Sequence, residues 1–472
     1  MQAIINFFSH TPDAALKVIR WVAVLLLTPV ALLAGASSSV MELYGEGAIV
    51  AARREYVYDN DRLLLGAYNN GLSAGYAALP ALAREAGLDF LVSWTNDDFM
   101  DLCEAEGIGV IAKGYNAPPN FMGLPEENKA QWLALDAGNY RSHPALWGDD
   151  FLDEPWTSHM ETMKDVIDHY NTLGTGRLPY INLLPIHAGR SMFAEDSLVP
   201  LWMEIALPLT GCIDGQFDCY RQHVGAYLRN IDTDVISLDI YPYNVSDTHD
   251  DWLHNLDILA EACRETDRDL WVITQAAGNE RDHMDGTNKR YCDSKAAQLQ
   301  QGYASMAFGA KAIIYACFQD GWWDAASHMV TAAGERTETY SAVQAANAEF
   351  APFAKLYGAY AWKGAYLVNS LKAAGTRYRS LSNGLPKSGR LSISTSAGLV
   401  VGCFGAKEGP GEAYVLANMN ELLNEEAAAC TIRFPQGKTV TVYGGGEVKT
   451  YEDGGKVKLC LAPGDGRFIT VG

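Results

Sequence analysis

The sequence predicts an α/β protein in two parts. A (β/α)8 barrel of the TIM type is expected over about residues 60–365, and an antiparallel β-sandwich over about 366–472. Three observations carry this reading. From Leu63 onward, eight short apolar runs alternate with amphipathic stretches, the pattern of βα units on a parallel sheet. After about Leu367 the helical patterns stop, and short alternating stretches follow one another between Gly, Pro and Asn. The chain has 472 residues, too many for one ordinary domain and enough for a large one followed by a small one.

The first segment lies outside the fold. Lys17 and Arg20 precede an apolar run from Trp21 to Ala34, and the small residues Ala34-Gly35-Ala36-Ser37 follow. A basic start, a short apolar stretch and an A-x-A-like site form the pattern of a secretory signal over residues 1–37. The run is short for a membrane span and is interrupted by Thr28 and Pro29. The competing readings are an uncleaved signal anchor and a true start at Met41. The expectation is an exported protein, secreted or held at the cell surface, with no other membrane attachment.

The barrel strands follow in order, and the C-terminal end of each is where such a fold builds its site. The first run, Leu63–Tyr68, ends in Tyr68-Asn69-Asn70. Asp89–Trp94 ends at Trp94, and Gly109–Lys113 at Lys113. The fourth, Trp147–Leu152, is followed by Asp153, Glu154 and Pro155; proline cannot continue a ladder, which places Glu154 at the strand's end. Met160, Met163, Ile167 and Tyr170 then share one face of a helix. Pro179–Leu184 contributes Asn182, with His187 beyond, and His187–Cys219 is the main insertion. Val235–Ile240 contributes Asp239 and leads into Tyr241, before a helix with Leu253, Leu256, Leu259 and Cys263 on one face. Leu270–Thr274 is followed by Gln275, and Ala312–Phe318 by Gln319, Trp322 and Trp323. A doubly wound open sheet is the competing architecture, but no glycine-rich phosphate loop follows the first strand.

The sandwich strands are Leu391–Thr395, Leu399–Phe404, Ala413–Ala417, Thr431–Phe434, Thr439–Tyr443 and Lys456–Leu461. This part carries no cluster of catalytic residue types, so a structural role beside the barrel is expected.

Composition narrows the partners. A formal net charge of −21 argues against nucleic acid and anionic membranes. The ten histidines include no His-x-His or HExxH arrangement, so neither a metal nor another cofactor is expected, and His187 and His283 read as polar loop residues. The nine cysteines form no CxxC pairs. Cys212 with Cys219, and Cys430 with Cys460, are candidate disulfides; buried reduced thiols are the alternative. At the strand ends, amides and carboxylates mix with flat aromatic faces. Tyr68, Asn69, Trp94, Lys113, Asn182, Tyr241, Gln275, Gln319, Trp322 and Trp323 are the candidate binding set, and Trp156 extends its aromatic surface. That mixture suits an oligosaccharide or polysaccharide, although any single Trp is more often core.

The resemblance rests on four stretches. These are Trp-Gly-x-x-x-x-Asp-Glu-Pro at 147–155, Ser237-Leu238-Asp239-Ile240-Tyr241-Pro242, Gln301-Gly302-Tyr303 with Ala307-Phe308-Gly309-Ala310-Lys311, and Leu461-Ala462-Pro463-Gly464-Asp465-Gly466. Together they resemble the barrel glycoside hydrolases of clan A with their C-terminal β domain. The resemblance implies that Glu154 is the acid/base, normally the Glu of Asn-Glu-Pro, with Asp153 in the Asn position. It also implies a nucleophilic Glu at the end of strand seven, where this chain has Gln275, which can neither form a glycosyl ester nor act as a base.

Three residues are candidates for the missing carboxylate. Asp239 lies two strands from Glu154; its other reading is a group that holds a sugar hydroxyl or a lysine. Asp153 beside Glu154 is similar to the pair in β-N-acetylhexosaminidases, where Asp orients the substrate's acetamide; adjacent strand residues point oppositely, so this requires a bulge or kink. Glu280, on the loop after strand seven, is the third. A glycoside hydrolase using Glu154 and Asp239 is the favoured reading, and a non-catalytic carbohydrate-binding barrel is the other class.

Overall fold

The computed structural model describes residues 47–113, 143–188, 190–193, 214–243, 252–278, 293–369, 371–373, 376–378, 381, 384–422 and 426–472. The expected signal over 1–37, Cys212, Glu280, His283 and most of the insertion after strand five lie outside these residues.

Eight parallel strands close into a barrel in sequence order. They are β1 (Leu64–Asn69), β2 (Phe90–Trp94), β3 (Gly109–Lys113), β4 (Leu146–Asp153), β5 (Leu178–Leu183), β6 (Val235–Ile240), β7 (Asp269–Gln275) and β8 (Ala310–Ala316). Closure is made by β1 on β8, with Tyr68 opposite Ala316. The doubly wound alternative is therefore excluded. Helices α1 (Leu79–Glu85), α2 (Asp97–Glu106), α3 (Met160–Thr172), α4 (Asp214–Asn230), α5 (Trp252–Thr266), α6 (Lys295–Ala307) and α7 (Glu338–Phe350) follow seven of the strands. Local chemistry sets their ends: the Asn96 side chain accepts from the Phe99 amide at 2.8 Å to open α2, and Gly107, at φ +68°, closes it.

Strand alternation divides the apolar residues. One set faces the helices, such as Phe151 against Tyr170 of α3. The other fills the barrel: Tyr58, Phe90, Trp147 and Trp271 form an aromatic layer near the N-terminal ends of the strands. Gly66 leaves room for this layer, since a Cβ there would overlap the Phe90 ring. Trp147 reaches it because β4 is irregular against β3, where Val110 pairs with Leu146 but Ile111 with Gly148. The barrel is thus a packed core rather than a pore, open for chemistry only at its upper layer.

The C-terminal part is two antiparallel sheets. The larger has six strands in the order β17 (Glu447–Tyr451), β16 (Val440–Gly444), β19 (Gly466–Val471), β14 (Glu412–Asn418), β13 (Leu399–Ala406) and β9 (Tyr360–Val368). The smaller has β12 (Ser392–Thr395), β15 (Ala428–Phe434) and β18 (Gly455–Leu461). A hairpin of β10 (Leu371–Ala373) and β11 (Thr376–Tyr378) lies apart. Val401, Leu416 and Ile469 meet Ile432, Val457 and Leu461 between the two sheets, which makes a sandwich. The opposite face of the large sheet, with Val400, Val415 and Phe468, belongs to the same core as Tyr303 of α6 and Phe353. That double burial explains the near-continuous apolar run of β13.

The six strands expected from the sequence are present. β9, β17 and β19 were not expected: β17 is exposed on nearly every residue and has no apolar alternation to betray it. The Cys430–Cys460 staple is corrected. Both thiols are free. Cys430 lies opposite Leu459 and Cys460 opposite Ala429, so the two side chains point to opposite faces of the sheet.

Candidate active site

Four carboxylates gather at the C-terminal ends of β4 and β6. Simple alternation from Asp150, which faces the barrel interior, would carry Asp153 outward. A bulge prevents this: Asp150 pairs with Tyr180 while Leu152, not Phe151, pairs with Ile181. The extra residue returns Asp153 to the interior, opposite Asn182. The next residue turns in as well. Glu154 has φ +52°, in the left-handed region, and its amide donates to the Asn182 carbonyl at 2.8 Å. That conformation is costly for a side chain larger than glycine and marks a position where the structure over-determines the backbone.

The resulting pocket has a volume of about 220 Å³ and is lined by Tyr68, Asp153, Glu154, Asn182, Asp239, Tyr241, Ile273 and Trp322. Asn182 ties its carboxylates together. Its Nδ2 donates to Asp239 Oδ1 at 2.8 Å and to Asp153 Oδ1 at 3.3 Å. Its Oδ1 accepts from Ser237 Oγ at 3.1 Å, and Ser237 meets the Tyr180 hydroxyl at 2.7 Å. Tyr68 donates its hydroxyl to Asp153 Oδ2 at 2.6 Å. Lys113 contacts that same hydroxyl and lies 3.4 Å from Asp150 Oδ2 and 3.6 Å from Asp153 Oδ2.

Lys113 is the one ammonium beside this group, near Asp150 and Asp153, among the described residues. Burial, the neighbouring Glu154 and then Asp153 hold Asp239 well above the usual carboxylate range, and the Asn182 hydrogen bond only partly offsets them. Glu154 is raised by burial of its carboxyl and by Asp153; its hydrogen bond to Asp239 and the charge of His187 work against the rise. Burial carries Asp150 to about 7 despite Lys113. Glu154 and Asp239 are therefore hydrogen-bonded neighbours that hold each other's titration above the usual carboxylate range.

The aromatic wall is continuous. Tyr241 lies 4.7 Å from Trp323 and 5.8 Å from Trp322 between ring centroids, and Trp322 lies 5.5 Å from Tyr68. Trp322 is 44% exposed, as are Trp94 and Trp156, which stand apart from the pocket. Trp323 supports the wall from behind Tyr241.

Three of the expected binding residues hold loops instead. Gln275 accepts from the Tyr243 amide at 2.8 Å and donates to the Tyr243 carbonyl at 2.9 Å. Asn69 accepts from the amides of Gln319 and Asp320 at 3.0 and 2.9 Å. Gln319 accepts from the Ser73 amide and donates to the Thr331 carbonyl. Asp150 was absent from the expected set, although Gly148 and Asp150 share an alternation that points inward. Ile273 gave no signal at all. Among the described residues, the metal-ligand types that come together are Asp101, Glu104 and His143, at the surface away from this pocket.

No family model matches the sequence, and no curated protein matches it. Solved structures share its general shape. One described as a glycoside hydrolase is 9% identical, with 89% of this chain and 96% of that chain covered at a TM-score of 0.49. A glucosidase from Croceicoccus marinus is 11% identical, with coverages of 90% and 98% and a TM-score of 0.40. An endo-α-mannosidase from Bacteroides thetaiotaomicron is 11% identical, with 61% and 95% covered at 0.34. Likeness at this level adds nothing about chemistry to the barrel already described.

Proposed function

We propose that this chain is a glycoside hydrolase in which Glu154 is the general acid and Asp239 the second carboxylate. One observation carries the reading: carboxyl groups from β4 and β6 face each other in a pocket walled by Tyr241 and Trp322, at the end of the barrel where such folds work. Its volume, about 220 Å³, matches a single sugar unit at the point of cleavage.

Glu154 and Asp239 are hydrogen-bonded neighbours, whereas the two working carboxyls stand ~5–5.5 Å apart in retaining and ~6.5–9.5 Å apart in inverting enzymes. A sugar ring entering between them must part the pair. Asp239 is buried and held by Asn182, whereas Glu154 is exposed on the turn beyond β4, so Glu154 is the member that moves. Once apart, a protonated Glu154 donates to the leaving oxygen, and Asp239 on the other side of the ring acts on the anomeric carbon or on a water. Asp239 acts as the ionised member of the pair while Glu154 holds the proton, and the positive charge of the oxocarbenium-like transition state favours that carboxylate.

A second reading has its own support. The bulge and the left-handed Glu154 bring Asp153 and Glu154 into the same pocket, as substrate-assisted hydrolysis of 2-acetamido sugars requires.

Kinetics on a panel of aryl glycosides and polysaccharides separate these readings. Glu154→Gln is expected to cost about 10²–10⁴-fold on poor leaving groups and far less on activated aryl glycosides; equal losses on both would remove the acid role. Asp239→Asn should abolish turnover while sugar binding persists, with azide restoring part of the rate. Wild-type rates in Asp239→Asn, with activity confined to N-acetylated sugars, would transfer the role to Asp153. Sugar binding without turnover on any substrate would leave a carbohydrate-binding barrel.

A further inference from the structure

At the N-terminal end of the barrel, away from the carboxylate pocket, a larger cavity of about 610 Å³ lies between the starts of β7 and β8, the end of α5 and the first strand of the large sheet. In a chain with a net charge of −21, its lining carries seven Lys and Arg residues against three Asp. Most of those cations are matched. Arg53 pairs with Asp267 at 3.1 Å and Asp269 at 3.0 Å, Arg54 with Asp234 at 2.9 Å, and Lys407 with Asp61 at 3.2 Å. Arg264 pairs with Glu261 and Glu265.

Arg268 and Lys311 are not matched. Arg268 is only 4% exposed; one nitrogen, Nη2, donates to the Ile49 carbonyl at 3.0 Å, while Nε and Nη1 are buried with no partner. Lys311 is 8% exposed; its ammonium donates to the carbonyls of Tyr357 and Tyr360 and lies 4.6 Å from the centre of the Tyr357 ring. Among the described residues no carboxylate lies within salt-bridge distance of either. Burying a guanidinium without an ion pair is costly, and Arg268 and Lys311 line the same cavity. Burial draws the Lys311 ammonium down to about 8, and an anion beside it would raise it again.

We propose that this cavity binds a tetrahedral oxyanion of the phosphate class, as the free ion or as an ester, with Arg268 and Lys311 as its ligands. Asp232 and Asp234 act on Arg268, and Asp269 on Lys311, only from beyond ion-pair distance, and two buried cations without ion pairs favour two negative charges on one ligand. A phosphate dianion supplies both, together with acceptor oxygens for the open guanidinium N–H groups; a monocarboxylate supplies one. Trp362 and Phe308 line the same cavity and offer an apolar surface to the organic part of an ester. Lys363, which is exposed, adds a solvated charge to the lining.

Calorimetric titration of the full chain with inorganic phosphate and with phenyl phosphate, against a chloride baseline, tests this. Both ligands are expected to bind; equal affinities identify the free ion as sufficient, and tighter phenyl phosphate identifies an ester, and either outcome supports the site. Arg268→Met should weaken phosphate binding about tenfold or more. It should leave the ligand-free unfolding temperature unchanged or higher, because an unpaired buried charge has gone; a purely structural Arg268 would lower it. Lys363→Ala, which leaves the core untouched, should weaken binding about two- to fivefold. Should Arg268→Met fail to fold, Lys311→Met carries the same expectation of tenfold loss. No phosphate heat above chloride in the millimolar range, or wild-type affinity in Lys311→Met, overturns the proposal.

Discussion

Asp150 lies three residues deeper along β4 than Asp153, with one oxygen 3.4 Å from Lys113 and the other buried without a partner. Its carboxyl is raised by burial to about 7, above the ordinary value of 3.8. A carboxyl whose folded pKa exceeds its unfolded one binds more protons when folded. Its contribution to stability is therefore fully present below the unfolded value and is lost as pH rises through the folded one. With about 1.4 kcal/mol per unit, the loss between about pH 4 and 7 is bounded by about 4 kcal/mol. Asp150→Asn keeps the shape and removes the titration. Urea unfolding across that window should show wild-type stability falling relative to the variant, and parallel curves would contradict the raised value. The same sign governs activity: Glu154 must carry its proton to act as an acid, so the rate on poor leaving groups should fall as pH rises past the raised Glu154 value.

At the scale of elements, the site is made by irregularity in β4, while the fold is secured by close approach elsewhere. Helix α6 lies on the large sheet so tightly that a Cβ on Gly402 of β13 would overlap the Ala307 carbonyl oxygen, and one on Gly466 of β19 the ring of Tyr303. Neither glycine has a positive φ, so what is required of them is space and not backbone freedom. The contact at Gly402 is with backbone, which no rotamer change can relieve. Gly402→Ala should therefore destabilise by about 1–3 kcal/mol, as overpacking does. Gly389→Ala, where a Cβ meets nothing within 4 Å, should be close to neutral. Chemical denaturation of the two variants checks this, and equal stabilities would remove the close-packing account.

At the scale of the molecule, barrel and sandwich share one core. Phe353, at the barrel's edge, stacks 5.2 Å from Phe468 of β19, and Gln300 of α6 donates to the Asn418 carbonyl of β14 at 3.1 Å. Glu349 of α7 accepts from the Gly445 amide at 2.9 Å. Two parts joined by aromatic packing and buried polar bonds unfold together. A single transition is expected, with the same midpoint by tryptophan fluorescence, which reports mainly the barrel because Trp362 of β9 is the one Trp of the sandwich, and by far-ultraviolet circular dichroism, which reports both. Truncation after residue 365 should expose the Tyr303, Phe353 and Tyr357 surface and give an aggregating product. Two separated midpoints, or a soluble folded barrel from the truncated chain, would show the parts to be independent.

The sequence by itself determined the order of elements, because apolar periodicity is a local property and each barrel strand carries it within five to eight residues. It also placed Glu154 at a strand end, through Pro155, and named Asp239, Asn182, Tyr241 and Trp322 as its neighbours. Tertiary structure decided what local pattern cannot encode. The bulge before Leu152 and the left-handed Glu154 turn two adjacent carboxylates into one pocket, and they are set by pairing with β5 rather than by the residues themselves. Gln275, Asn69 and Gln319 carry the right chemistry at the right strand ends, yet their amides are taken by backbone groups of neighbouring loops, which only the closed barrel brings within reach. The unmatched charges of Arg268 and Lys311 are invisible for the same reason. Whether a cation has a partner depends on side chains from β8, α5 and the start of the large sheet, which are distant in the chain and meet only when the barrel and sandwich pack.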